Sequence, residues 1–160
     1  NRIRDMGVSA VYTTDQTVHT RDVVTTPSIP SFSAGTNTVG REFTTSATGV
    51  IQFNTISHNE GNNFVGSTGR FTAPVAGNYT FSFSGNCMDL NGTVVKWVNL
   101  RVNNAGTTRI LYSSNQSGWQ LISGTWHVAL NKGDYVHVLS NGFTRWDSSD
   151  WTRFSGHLIA

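Results

Sequence analysis

The chain has 160 residues, only 12% of them charged, and a formal net charge of +2 carried almost wholly by arginine. That balance excludes the dense Lys/Arg stripe of a nucleic-acid binder. No apolar run reaches the length needed for membrane insertion as a spanning helix. The single cysteine, Cys87, excludes an intrachain disulfide and any Cys-based metal spacing, and reads as a small buried strand residue. Solubility rests on Thr, Ser, Asn and Gly, which suits a β-protein displayed outside a cell or on a particle. The first residue is Asn1 rather than Met and no signal peptide is visible, so the sequence reads as a piece of something longer.

Apolar residues do not recur at helical spacing; β-branched and aromatic residues alternate with polar ones between Gly/Asn/Ser clusters. Residues 1–27 differ from the rest. Met6, Val8, Val11, Tyr12, Val18, Val23 and Val24 are spread among Thr, Asp and Arg, with no aromatic cluster to anchor a core. This segment is expected to be a linker or a stalk end ordered by neighbouring chains. Pro27 and Pro30 close it off.

From Ile29 the strands come regularly. Ile29–Ala34 is the first and Val50–Phe53 the next, followed by a turn-rich stretch from Asn59 to Gly69. Gly77–Phe83 has Tyr79, Phe81 and Phe83 on one face. Val94–Val102 puts Val98, Leu100 and Val102 together; Arg109–Tyr112 is short; Gly118–Leu130 is long, with Trp126, Val128 and Leu130 inward. Asn131–Asp134 reads as a hairpin turn into Tyr135–Leu139, and Phe154–Ile159 is last. About eight to ten short strands without helices indicate a two-sheet sandwich or jelly roll.

One constellation is more specific than the pattern. Phe53 is followed by Asn59, Phe64, Phe71, Gly77, Tyr79, Phe81 and Phe83, with Thr68–Pro74 leading into the central strand. Leu130-Asn131-Lys132-Gly133-Asp134-Tyr135-Val136 and Phe154-Ser155-Gly156-His157-Leu158-Ile159 add two later motifs. Over residues 28–160 this resembles the globular head of the C1q/TNF-like superfamily. The resemblance implies an all-β, ten-stranded antiparallel jelly-roll sandwich that forms a homotrimer at the end of a stalk. Residues 1–27 contain no Gly-X-Y repeat, so they look less like a collagen stalk than like the joint of a phage or bacterial trimeric fibre.

Strand parity then sorts the loops. If the termini lie together at a base, the loops near Met88–Thr93, Ser113–Gly118 and Asn141–Trp151 fall at the far tip. The turns Asn103–Thr107 and Asn131–Gly133 fall at the base. The last tip loop is unusual: Arg145, Trp146, Asp147, Asp150, Trp151 and Arg153 crowd into a stretch where a plain connection would use Gly, Asn and Ser. Exposed Trp beside Arg and Asp can stack on sugar C–H groups and hydrogen-bond hydroxyls, and the same residues dominate protein hot spots. Trp119, beside a neighbouring tip loop, joins the set. The competing reading is that one or both loop tryptophans plug the end of the sandwich or pack in a trimer; Trp97 and Trp126 read as core or subunit-contact residues.

Catalysis finds no constellation. His19, His58, His127, His137 and His157 are scattered, and the one approach expected is a cross-strand pair of His127 and His137 over the Asn131–Gly133 turn. Some heads of this resemblance bind calcium near the trimer top through carboxylates and carbonyls. Asp89, Asp147 and Asp150 are the tip-side acids here, without a loop-ligand spacing, and the expectation is a head without a cofactor. The resulting expectation is a non-enzymatic adhesin or receptor-binding head, extracellular on a cell surface or virion fibre, that contacts a surface glycan or protein. The alternatives are a structural trimerisation cap and a secreted C1q/TNF-like ligand.

Overall fold

A computed structural model describes residues 8–14, 17–23, 28–36, 48–89, 96–113, 118–141, 143, 145–147 and 151–159. Its elements are all strands: β1 (Val8–Thr14), β2 (Thr17–Val23), β3 (Ser31–Gly35), β4 (Thr48–Val50), β5 (Thr55–Glu60), β6 (Phe64–Val65), β7 (Arg70–Thr72), β8 (Gly77–Asp89), β9 (Lys96–Val102), β10 (Ala105–Ser113), β11 (Gly118–Leu130), β12 (Tyr135–Asn141), β13 (Arg145–Trp146) and β14 (Arg153–Leu158). Among the described residues no helix is long and apolar enough to cross a membrane.

Strands β3 to β14 build two six-stranded antiparallel sheets. The first runs β11-β8-β14-β3-β5, with β13 paired to the far end of β8. The second runs β10-β9-β12-β7-β6, with β4 paired to β12. Among the described residues the head shows twelve strand segments, two of them only two residues long, in the expected two-sheet antiparallel sandwich. Two local events account for extra segments. Gly61 and Asn62 take positive φ values of 79° and 56° and break one extended stretch into β5 and β6. The tip excursion after β12 returns to pair two residues with β8 as β13.

Residues 1–27, the expected linker or stalk end, carry no aromatic cluster to anchor a core. Within them β1 and β2 form an antiparallel hairpin that is a sheet of its own, from Val8↔Val23 to Thr14↔Thr17. Alternating Val, Thr and Tyr suit that ladder.

Every aromatic of the recognised constellation points between the sheets. Phe53, Phe71, Tyr79 and Phe81 are fully buried, with Phe64 and Phe83 nearly so. Phe32 stacks on Phe64 at 4.3 Å and meets Phe154 edge-on at 5.0 Å, and Phe81 stacks on Phe154 at 5.9 Å. Such pairs add roughly 0.5–1.5 kcal/mol each beyond area burial. Gly156 in β14 admits this packing: a Cβ there would collide with the Phe81 ring. The Asn of the constellation has a different task. The Asn59 side chain receives the Phe64 N–H at 3.1 Å and donates to the Phe64 carbonyl at 3.0 Å, closing the turn between β5 and β6.

The two ends of the sandwich match the parity expectation. At the base, Leu158 N–H donates to the Pro30 carbonyl, so the chain enters and leaves together. The β9–β10 turn at Asn103–Asn104, with positive φ at both residues, lies against the Asn131–Asp134 turn. Asn103 Nδ2 donates to Asp134 Oδ1 at 2.6 Å, and Asn131 N–H to Asp134 Oδ2 at 2.8 Å. These bonds hold the Asp134 carboxyl below its ordinary value. At the other end Asp89 pairs with Gly118, and Met88 with Arg145, which gathers three connections at one tip.

Candidate functional site

The tip loop is held by hydrogen bonds to β8 and to the end of β3. Asp147 N–H donates to the Asn86 carbonyl at 2.8 Å, and Asn86 N–H to the Trp151 carbonyl at 3.2 Å. Asn86 Nδ2 reaches Asp147 Oδ2 at 3.3 Å, while Thr36 Oγ1 donates to the Asp147 carbonyl at 3.1 Å. Thr36 is buried, and its N–H donates to the Thr152 carbonyl. The excursion is thereby fixed to β8 on one side and to the end of β3 on the other.

This clamp separates the two loop tryptophans. Trp146 is fully buried, edge-on to Phe83 at 5.6 Å and to Phe143 at 5.2 Å. Its ring fills the space left by Gly85, where a Cβ would stand 2.5 Å from the indole. Trp146 is thus a plug of the sandwich end and leaves the set of ligand-facing residues. Trp151, five positions on, continues the β14 ladder beside Asn86 and is 60% exposed. Trp119 on β11 is 46% exposed, and Leu121, opposite Asn86, is 69% exposed. Trp119, Leu121 and Trp151 therefore share the tip end of one outer face. Leu121 was not singled out from sequence, where alternation alone cannot tell which end of a strand stays uncovered.

The remaining expected residues divide. Asp147 is half-buried and engaged by Asn86, a loop-positioning contact. Arg153 lies below the tip, on the same outer face, and its Nη2 donates to Ser33 Oγ and Ser57 Oγ, both at 3.1 Å. It braces β14 against β3 and β5. Arg145 is fixed by backbone as the partner of Met88. Asp150 lies outside the described residues. Among the described residues no group of three or more His, Cys, Asp or Glu could hold a metal ion.

Below the exposed tip residues the same face is paved with hydroxyls. Ser123, Ser84 and Arg153 form one cross-strand row; Thr125, Ser82, Ser155 and Ser33 form the next. Ser82 and Thr125 hydroxyls are 3.0 Å apart. An open depression of about 390 Å³ lies over Ser82, Ser84, Ser123, Thr125, Arg153 and Ser155.

The expected pairing of His127 with His137 does not form. The Asn131–Asp134 turn is a corner between sheets: β11 lies in the first sheet and β12 in the second. His127 is exposed on the hydroxyl-rich face opposite Thr80, whereas His137 is fully buried between β7 and β9. Cys87 is buried in β8, its thiol directed to the Gln120 carbonyl at 3.3 Å.

Comparison with known proteins accounts for this arrangement. Residues 31–159 match the family model described as "C1q domain". The human and mouse proteins named "Complement C1q tumor necrosis factor-related protein 3" are 34% identical over 119 residues, 73% of this chain. The chain spans about half their length, 47%. Among solved structures, the globular domain of zebrafish complement 1qA superposes with a TM-score of 0.63 at 21% identity, covering 82% of this chain and 98% of that one. Murine APRIL gives 0.63 at 12% identity with 82% and 99% coverage, and the Eiger TNF of S. frugiperda 0.59 at 12% with 84% and 94%. With four-fifths of its length matched and the aromatic constellation buried between two antiparallel sheets, the chain belongs to the C1q domain family.

Proposed function

We propose that this chain is the extracellular, non-enzymatic recognition head of a homotrimeric fibre, and that it contacts a surface glycan or protein through its tip. The observation that carries this reading is the joint exposure of Trp119 and Trp151 at the tip end of one face. Indole rings left in water lose most of the stabilisation that burial would give, and aromatic anchors are the commonest hot-spot residues. Arg145 and Asp150 belong to the same loop sequence and are the polar residues we assign to it alongside the rings. Trp146 and the Asn86 and Thr36 bonds hold the loop, so the exposed rings are presented rather than floating.

Assembly as a trimer is supported by the first sheet. Its outer face is built largely of small hydroxyl side chains around a shallow depression, with exposed Ile29 and Ile159 at the base and Leu121 at the tip. Such a face admits close approach of a neighbouring subunit, and three copies give weak sites a high combined avidity. The β1–β2 hairpin beside the head supports a β-rich fibre. A secreted ligand of the complement or TNF type remains the second reading, favoured by the 34% identity to the C1q tumor necrosis factor-related proteins.

The test is the double variant W119A/W151A on a glycan array and on candidate host cells, with light scattering alongside. Loss of binding with an intact trimer is the expected result. Retained binding removes the tip reading and leaves a capping role; loss of the trimer itself reassigns both rings to subunit contact.

A further inference from the structure

The second sheet carries a different polar arrangement on its outer face. His137 on β12 has Arg70 of β7 as its register partner on one side and Arg101 of β9 on the other. Three strands thus place Arg70, His137 and Arg101 in one row. Next to it, Asn99 is the partner of Leu139, and Arg109 on β10 is in turn the register partner of Asn99.

The row is charged but not neutralised. Among the described residues neither Arg70 nor Arg101 forms an ion pair; the Arg70 guanidinium lies over the Tyr135 ring at 4.4 Å, and Tyr135 stacks on His137 at 6.0 Å. The nearest acid in sequence, Asp134, has its carboxylate occupied by Asn103 and Asn131. His137 is fully buried, and among the described residues neither of its ring nitrogens has a hydrogen-bond partner. Arg101 Nε and Asn99 Oδ1 are buried and unpartnered as well. Buried polar atoms in native proteins nearly always find partners. Here unpartnered donors from two adjacent residues lie in a row that carries two guanidinium groups, and guanidinium forks match planar and tetrahedral oxyanions.

We infer that the Arg70–His137–Arg101 row is an anion-binding site that takes a single oxyanion group, a carboxylate, sulfate or phosphate, presented by a ligand or a neighbouring surface. The guanidinium heads supply the charge. Arg101 Nε–H and one His137 ring N–H supply directed donors, and Asn99 Oδ1 accepts from a hydroxyl beside the anion. The site is on the other sheet from Trp119 and Trp151 and does not depend on their assignment.

The test is NMR on the full chain with labelled Arg and His. Sodium acetate and N-acetylneuraminate form one arm and sodium sulfate and phosphate the other, each matched in ionic strength with sodium chloride. Saturable shifts of Arg70 and Arg101 Nε–Hε, with an upward move of the His137 titration and no change at Arg153, are expected in at least one arm. That arm identifies the oxyanion class. Linear shifts equal to those with chloride in both arms overturn the proposal. In R70Q and R101Q the apparent Kd should rise at least tenfold; an unchanged Kd in both folded variants also overturns it. Should a variant fail to fold, the wild-type titration decides alone.

Discussion

The two outer faces of this sandwich obey the same alternation and end up opposite in chemistry. The middle of the first sheet's outer face is paved by Ser33, Ser82, Ser84, Ser123, Thr125 and Ser155, all small and neutral, with Arg153 and His127 among them. Outward positions of the second sheet include Arg70, Asn99, Arg101 and His137, large, charged or buried, with several polar atoms unpartnered. A period of two decides only which residues leave the core. What they do outside depends on size and charge: on the reading proposed above, small hydroxyls leave room for another subunit, whereas arginines around a buried imidazole make a place for negative charge.

The strongest way to break this contrast is to put bulk and charge on the hydroxyl-paved face. S82R/S155R should abolish the trimer, while T72R, on the second sheet, should leave it intact, both read by light scattering. Equal loss in both would erase the distinction between the faces.

Next in size is the pair of loop tryptophans. Trp146→Ala removes a fully buried ring and should cost about 3–5 kcal/mol in denaturant unfolding. Trp151→Ala should stay within about 0.5 kcal/mol, since the ring is largely in water.

A third effect is a pH dependence carried by the second sheet. Burial first, then the charges of Arg70 and Arg101, pull the His137 pKa from 6.5 down to about 4. The unfolded chain binds the proton first, so stability is full above pH 6.5 and falls as pH drops towards 4, by at most about 3 kcal/mol. His137→Phe should flatten that slope. A slope that persists in the folded His137→Phe variant would contradict the assignment.

The smallest expected effect is at the base. Asn103→Ala removes the bonds to Asp134 and to the Tyr135 N–H and should cost about 1 kcal/mol in the same unfolding assay, with no effect on tip binding.

The core was legible because its signal is dense and local. Phe53, Phe64, Phe71, Tyr79, Phe81 and Phe83 sit at fixed spacings, and large rings at period two have few places to go. Loop parity was legible too, since antiparallel connections alternate ends. The errors lie where local chemistry serves two global outcomes. Asn131–Asp134 carries the signal of a tight turn, but a turn does not say whether its flanking strands pair, and here they enter different sheets. Trp146 and Trp151 look alike in the loop sequence; the difference is Gly85, which opens a socket for one ring from far away in the chain. Arg70, Arg101 and His137 come from three distant segments, and only the register of β7, β9 and β12 aligns them.

Light scattering of the purified full chain tests the central claim most directly. A mass of three copies, stable to dilution, is the outcome required if the hydroxyl-paved sheet is an assembly surface. A lone protomer across the same concentrations would contradict the account.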